Sequence, residues 1–297
     1  MKKYPFKKID AFTTGISEGN PAACIYLDNI DDIQPEGMQR IARELKGFVN
    51  EVGFLSNKDG LYHLCYYSSE CEVDFCGHAT IAIMYDLIKN NPALQNQAKI
   101  NIYVKNSPLF VLNKIKESNA VYIAGPRPEY LQREIRLQDI CLSLNILPEI
   151  IEDKYALEVI NAGLRTLIIP IKGLKECTDI FPDEITLKEF CFRNDIDIVL
   201  VFCKETYDKD SDYRTRVFAP KFGYLEDPAT GSGNAAFGYY LLKHHLWDKD
   251  VINIEQNGIL RYPNFVKLVS LLDDGVQRVL FGGAAITRIS GEYFLNS

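Results

Sequence analysis

The chain has 297 residues, 47% of them apolar and 25% charged, and its 33 Lys and Arg against 40 Asp and Glu leave a net charge of −7. That length and apolar share support a buried core and one large or two ordinary domains, and they exclude a disordered or low-complexity chain. No basic face clusters along the sequence, so no nucleic-acid partner is expected, and no apolar run nears the ~20 residues of a membrane span.

In chain order, the Lys2-Lys3 and Lys7-Lys8 pairs read as solvated strand flanks. Met1-Lys2-Lys3-Tyr4-Pro5 leads into charged residues rather than the apolar stretch of a signal peptide, so a cytoplasmic chain is expected. Residues 7–12 and 22–27 read as strands around a turn rich in Gly, Ser and Asn. Residues 35–46 read as a helix: Pro35 suits the first turn, Met38, Ile41, Ala42 and Leu45 fall at i, i+3, i+4 and i+7, and Gly47 stops it. Strands at 51–55 and 61–67 follow, then a very apolar helix at 77–89. Further strands at 99–104, 107–115 and 121–124 lead to Gly125-Pro126-Arg127-Pro128, the candidate linker. Beyond it come strands at 159–163 and 166–171, a helix near 186–194, strands at 196–203 and 213–219, and an apolar helix at 231–246.

The eight Cys lie mostly in apolar runs and are expected to be free, buried and small, because disulfides do not persist in a reducing compartment. No CxxC pair occurs, and Cys71 and Cys76 lack the second pair or His cluster that a zinc site requires, so no metal is expected.

The second half repeats the first. Cys76-Gly77-His78-Ala79-Thr80-Ile81-Ala82 lies against Thr230-Gly231-Ser232-Gly233-Asn234-Ala235-Ala236 residue for residue, and Gly19-Asn20-Pro21-Ala22 lies more loosely against Gly163-Leu164-Arg165-Thr166. Two copies of this length mean two similar domains. Helices as apolar as 77–89 and 231–246 must be wrapped on most sides, as inside a strongly curved sheet. Each follows a Gly-rich turn, so each offers free N–H groups and a positive dipole end to an anion. With the halves facing each other, a carboxylate sits between two helix starts.

Several residues stand out against this frame. His78, in the first turn of its helix, should resist protonation because the dipole disfavours an imidazolium. Thr80 and Ser232 can cap a helix or donate to an anion. Glu226 and Asp227 precede the second helix and point apart if extended, so at most one faces a given pocket. Glu51 interrupts an apolar strand, on the face that alternation shares among Val49, Gly53 and Leu55; it is either an edge residue or a buried acid/base.

Together these residues resemble the phenazine-biosynthesis PhzF-like isomerase family, within the diaminopimelate-epimerase-like fold. The resemblance rests on Ile9-Asp10-Ala11-Phe12 with Gly19-Asn20-Pro21-Ala22-Ala23, on Asn50-Glu51-Val52-Gly53-Phe54 and on Phe75-Cys76-Gly77-His78-Ala79-Thr80. In the second half it rests on Thr215-Arg216-Val217-Phe218-Ala219-Pro220, on Glu226-Asp227-Pro228-Ala229-Thr230-Gly231-Ser232, and on Gln256-Asn257-Gly258 with Arg261 and Gly282-Gly283.

It implies an α+β fold of two pseudo-symmetric domains, residues 1–124 and 125–297, with the last strand free to return to the first half. Each domain is then a strongly curved, mostly antiparallel sheet wrapped around a central apolar helix, with the active site in the cleft between them. The implied activity is a cofactor-independent isomerase that moves a proton within a small carboxylate-bearing metabolite, working as a homodimer and using neither metal nor cofactor. Glu51 stands at the family's acid/base position, and His78 and Asp227 stand at its other catalytic positions. Asn20 falls at the rim of the cleft, while Ser232 and the backbone N–H groups of Gly77, Gly231 and Gly233 hold substrate.

The chain departs from the family pattern at Asn50, Val52 and Gly233, which bears on the substrate more than on the chemistry. Related epimerases use two thiols, one before each central helix. Here Cys76 is matched by Thr230, so a racemase or epimerase using Cys76 is the runner-up, and a small-molecule binding protein without catalysis is the remaining alternative.

Overall fold

The computed structural model describes residues 2–105, 107–273 and 275–296. The chain divides into two units, residues 1–123 with 282–297 and residues 124–281.

In the first unit a curved sheet surrounds one helix. Lys2–Ala11 pairs antiparallel with both Ala285–Leu295 and Asn20–Leu27, and Asn20–Leu27 runs parallel to Glu51–Lys58. Glu51–Lys58 pairs antiparallel with Leu61–Ser68, which runs parallel to Lys99–Val104, and Lys99–Val104 pairs antiparallel with Ser107–Lys114. The helix Gly77–Lys89 packs against four of these strands and is buried almost all round, from Ala79 to Asp86 and again at Ile88. Its apolar composition permits nothing else. Gly53 makes the contact close: a Cβ there would lie 2.3 Å from Ile83 Cδ1 of the helix. The opposite face of the same strand, with Val52 and Phe54, packs on Met38, Ile41 and Ala42 of the helix Pro35–Glu44.

The second unit follows the same order of pairings. Glu158–Asn161 pairs antiparallel with Arg165–Pro170, which runs parallel to Ile198–Cys203. Ile198–Cys203 pairs antiparallel with Tyr213–Phe218, which runs parallel to Val251–Gln256, and that strand pairs antiparallel with Asn264–Asp273. The helix Gly231–Lys243 lies inside, buried at nearly every position from Gly231 to Leu241. Both central helices have 13 residues, and Cys76 and Thr230 are their N-cap residues. The duplication read from two short motifs is therefore a duplication of topology.

Several expectations change. The strand Glu51–Lys58 begins at Glu51, so the carboxylate opens the strand instead of interrupting it, and Val49 packs with Val52 and Phe54 rather than on the face of Glu51. Lys7 is no solvated flank, because its Nζ lies 2.5 Å from the buried Asp86 of the first central helix. All eight thiols are free, but Cys71 is exposed and Cys65 half-buried. The short helices Leu137–Leu144 and Leu174–Asp179 are elements for which the sequence pattern raised no expectation. Among the described residues no helix is long and apolar enough to cross a membrane.

Candidate active site

In the first unit three candidate side chains meet at the start of the central helix. Gly53 faces that helix, so Glu51, two residues earlier on the strand, faces it as well, at its N-terminal end. His78 occupies the second helical position and turns its imidazole toward Glu51, with Nε2 3.2 Å from Oε2. The alignment falls outside that of a hydrogen bond, so Glu51 Oε2 is buried without a donor. Cys76, the N-cap, places its sulfur 3.5 Å from His78 Nδ1 on the other side of the ring.

The charge state of His78 differs from the expectation drawn from the helix dipole. Burial does work against an imidazolium, but the Cys76 sulfur and the Glu51 carboxylate outweigh it and hold His78 well above its usual range. Burial pushes the Cys76 thiol up, and the Glu51 charge adds to this while His78 offsets part of it. Thr80 neither caps the helix nor faces an anion. Its hydroxyl donates to the Cys76 carbonyl at 2.6 Å and accepts from the Tyr66 hydroxyl at 2.7 Å. Asn20 is buried, its Oδ1 accepting from Asn50 Nδ2 at 3.2 Å. The parallel register of Ala22 with Glu51 brings this amide pair next to the carboxylate.

The second unit builds a different arrangement at the matching helix start. Glu226 and Asp227 take separate partners, as their opposed directions require. Glu226 receives a two-pronged bond from Arg216, at 3.0 and 2.9 Å. Asp227 Oδ2 accepts from Thr230 Oγ1 at 2.6 Å. Gln256 clamps this turn from the neighbouring strand. Its Nε2 donates to the Asp227 carbonyl at 3.0 Å and to Thr230 Oγ1 at 3.1 Å, while its Oε1 accepts from Thr230 N at 3.0 Å and from Asn234 Nδ2 at 2.6 Å. Ser232 is half-buried at the second helical position, the place His78 holds in the first unit. Gly231 has a steric reason beside any role for its N–H, since a Cβ there would lie 2.2 Å from the Phe281 ring. Neither Cys76 nor Thr230 caps its helix with a side-chain hydrogen bond.

A family model described as phenazine biosynthesis-like protein matches residues 9–291. The chain belongs to the phenazine biosynthesis-like family. An uncharacterized isomerase of Clostridium acetobutylicum is 30% identical over 83% of this chain and 82% of its own length. A PhzF-family phenazine biosynthesis protein of Bacillus anthracis superposes with a TM-score of 0.86 at 22% identity, covering 99% of this chain and 100% of its own. A probable proline racemase of Agrobacterium radiobacter shares the fold more distantly, with a TM-score of 0.62 at 11% identity over 99% of this chain and 93% of its own. The relatives' names carry the reaction class, and this phenazine biosynthesis-like chain is an isomerase.

Two features of this family member were not read from its sequence. Gln256 was noticed only as part of Gln256-Asn257-Gly258, yet it holds the whole Asp227–Thr230 turn. Arg214 and Glu255, fully buried and 2.9 Å apart, anchor the strand ends from which Gln256 projects, and Arg214 also donates to the Asn257 carbonyl. Their strands, Tyr213-Arg214-Thr215-Arg216-Val217-Phe218 and Val251-Ile252-Asn253-Ile254-Glu255-Gln256, mix polar and apolar residues, so local pattern does not mark the pair as buried.

Proposed function

We propose that the chain moves a proton within a small carboxylate-bearing metabolite with its own side chains and no cofactor, Glu51 serving as general acid/base. One observation carries this reading: Glu51 Oε2 is buried without a hydrogen-bond donor beside the start of an uncapped helix. A carboxylate in that state is available to take a proton from a substrate carbon. Glu51 then returns the proton to another carbon of the same molecule, so the carboxyl ends the cycle as it began. His78 fixes the carboxylate rotamer and, as an imidazolium, balances charge that develops on the substrate. In each unit the start of the central helix offers first-turn N–H groups to a carboxylate, that of Gly77 in the first and those of Gly231 and Gly233, with Ser232, in the second. Asn20 and Asp227 orient the substrate. A homodimer and a cytoplasmic setting complete the reading, and the eight free thiols suit a reducing compartment.

Cys76 supports a second reading, an epimerase, because its sulfur lies at the helix start beside His78. Two observations weigh against it. Burial holds the thiol above its usual range, and the matching position is Thr230, whose hydroxyl is already engaged by Asp227.

Incubation of the protein in heavy water with a panel of small amino and hydroxy acids tests the proposal. Deuterium entering at least one of them, read by mass spectrometry, is the expected result. Uptake by none across the panel counts against proton transfer.

A further inference from the structure

Asp227, Thr230, Asn234 and Gln256 are buried together at the start of the second central helix, and the sense of every hydrogen bond among them is fixed. The Gln256 amide has one orientation, because backbone groups of settled role flank it. Thr230 N–H donates to its Oε1 at 3.0 Å, and its Nε2 donates to the Asp227 carbonyl at 3.0 Å. Asn234 is fixed in the same way, its Nδ2 donating to the Thr230 carbonyl at 2.8 Å and to Gln256 Oε1 at 2.6 Å. The second hydrogen of Gln256 Nε2 therefore goes to Thr230 Oγ1, 3.1 Å away. A hydroxyl that accepts there directs its single hydrogen elsewhere, and Asp227 Oδ2 stands 2.6 Å from it. Oδ2 is thus an acceptor. A proton on it would meet the Thr230 hydrogen head-on or turn that hydrogen against Gln256.

We infer that Gln256 and Thr230 are positioning residues, a two-step hydrogen-bond relay that holds Asp227 ionised and in one rotamer at the helix start. Threonine is a favoured N-cap because its hydroxyl accepts from the first turn, yet Thr230 makes no such bond and gives its hydrogen to Asp227. The first-turn N–H groups are thereby left uncovered by the cap. The charges on the neighbouring strands do not compete for Asp227. Thr215 and Val217 share its face, while Arg214 and Arg216 alternate to the other side, where they pair with Glu255 and Glu226. Inside this buried cluster each bond polarises the next toward the carboxylate. The substrate contact of Asp227 rests on the proposed function, whereas the sense of the relay stands on the hydrogen bonds alone.

Neutron diffraction from a deuterium-exchanged crystal of the full chain near neutral pH reads the relay without any substrate. Deuterium is expected on Thr230 Oγ1, directed at Asp227, with both Nε2 deuterons of Gln256 on the Asp227 carbonyl and Thr230 Oγ1 and none on Asp227 Oδ2. A deuteron on Oδ2 directed at Thr230 overturns the inference. On the small acid that the parent protein labels, Thr230→Val should raise KM about tenfold with kcat changed less, and Thr230→Ser should restore the parent KM. In an Asp227→Asn background Thr230→Val should add nothing, because it acts through Asp227. Gln256→Glu keeps the acceptor for Thr230 N and Asn234 but loses the donor, so it should reproduce the rise in KM, and it is the second variant should Thr230→Val fail to fold. An equal loss from Thr230→Val with and without Asp227 overturns the positioning role. The two proposals fail separately: a parent KM in Asp227→Asn removes the substrate contact of Asp227, and the neutron structure still decides the relay.

Discussion

Glu51, His78 and Cys76 form one electrostatic unit at the start of the first central helix. The imidazole sits between a carboxylate oxygen 3.2 Å away and a sulfur 3.5 Å away. Both neighbours draw it toward the imidazolium, against the burial that opposes charge. Burial holds the thiol above its usual range, which counts against sulfur as the base. Cys76→Ser should therefore lower turnover by less than about tenfold, against the ~10²–10⁴ loss expected if sulfur carried the proton. Steady-state rates on an exchanging substrate decide between the two.

Helix starts and strand ends hold these groups, and each is fixed by a contact that can be removed. At the second helix start a Gly231→Ala methyl would meet the Phe281 ring at 2.2 Å. Such overpacking costs about 1–3 kcal/mol, and Phe281→Leu in the same chain should recover part of it in thermal melts. Another clamp closes the parallel pair Arg165–Pro170 and Ile198–Cys203. Burial pushes the Asp197 carboxyl up, but Arg165 at 2.7 and 2.9 Å and Lys221 at 2.9 Å outweigh it and hold the group well below its usual range. A depressed carboxyl contributes stability above its unfolded value of about 3.9, and that contribution is lost as pH falls through the lower folded value. Asp197→Asn should thus lower stability near neutral pH by about 2 kcal/mol, with the gap to the parent narrowing below about pH 4 in denaturant melts.

Across the whole chain, the same succession of pairings is built twice, and each copy surrounds a 13-residue helix. Much of this was legible. The run 77–89 declares its ends by Gly77 and by Asn90-Asn91-Pro92, and its all-round apolarity demanded a wrapped position. The pairing of Cys76 with Thr230 as equivalent caps followed from a local match. What stayed hidden depended on partners distant in sequence. Lys7 reads as a solvent-facing residue until Asp86 is brought to it, and Gln256 is an ordinary amide until the Asp227–Thr230 turn folds against it. His78 was read from its own helix alone, whereas its charge is set by Glu51 on a neighbouring strand. The buried Arg214–Glu255 pair is the least legible of these, since local pattern gives no reason for two charges in a core. Arg214→Met leaves Glu255 buried without its partner, and a loss of about 3–5 kcal/mol is expected in equilibrium unfolding.

The acid/base role of Glu51 is tested most directly by solvent deuterium exchange in Glu51→Gln beside the parent protein, on whichever small acid the parent labels. The amide keeps the shape of the side chain and removes its basicity, so exchange and turnover should both fall by ~10²–10⁴ with the melting temperature little changed. Exchange at the parent rate in the folded variant would contradict the account.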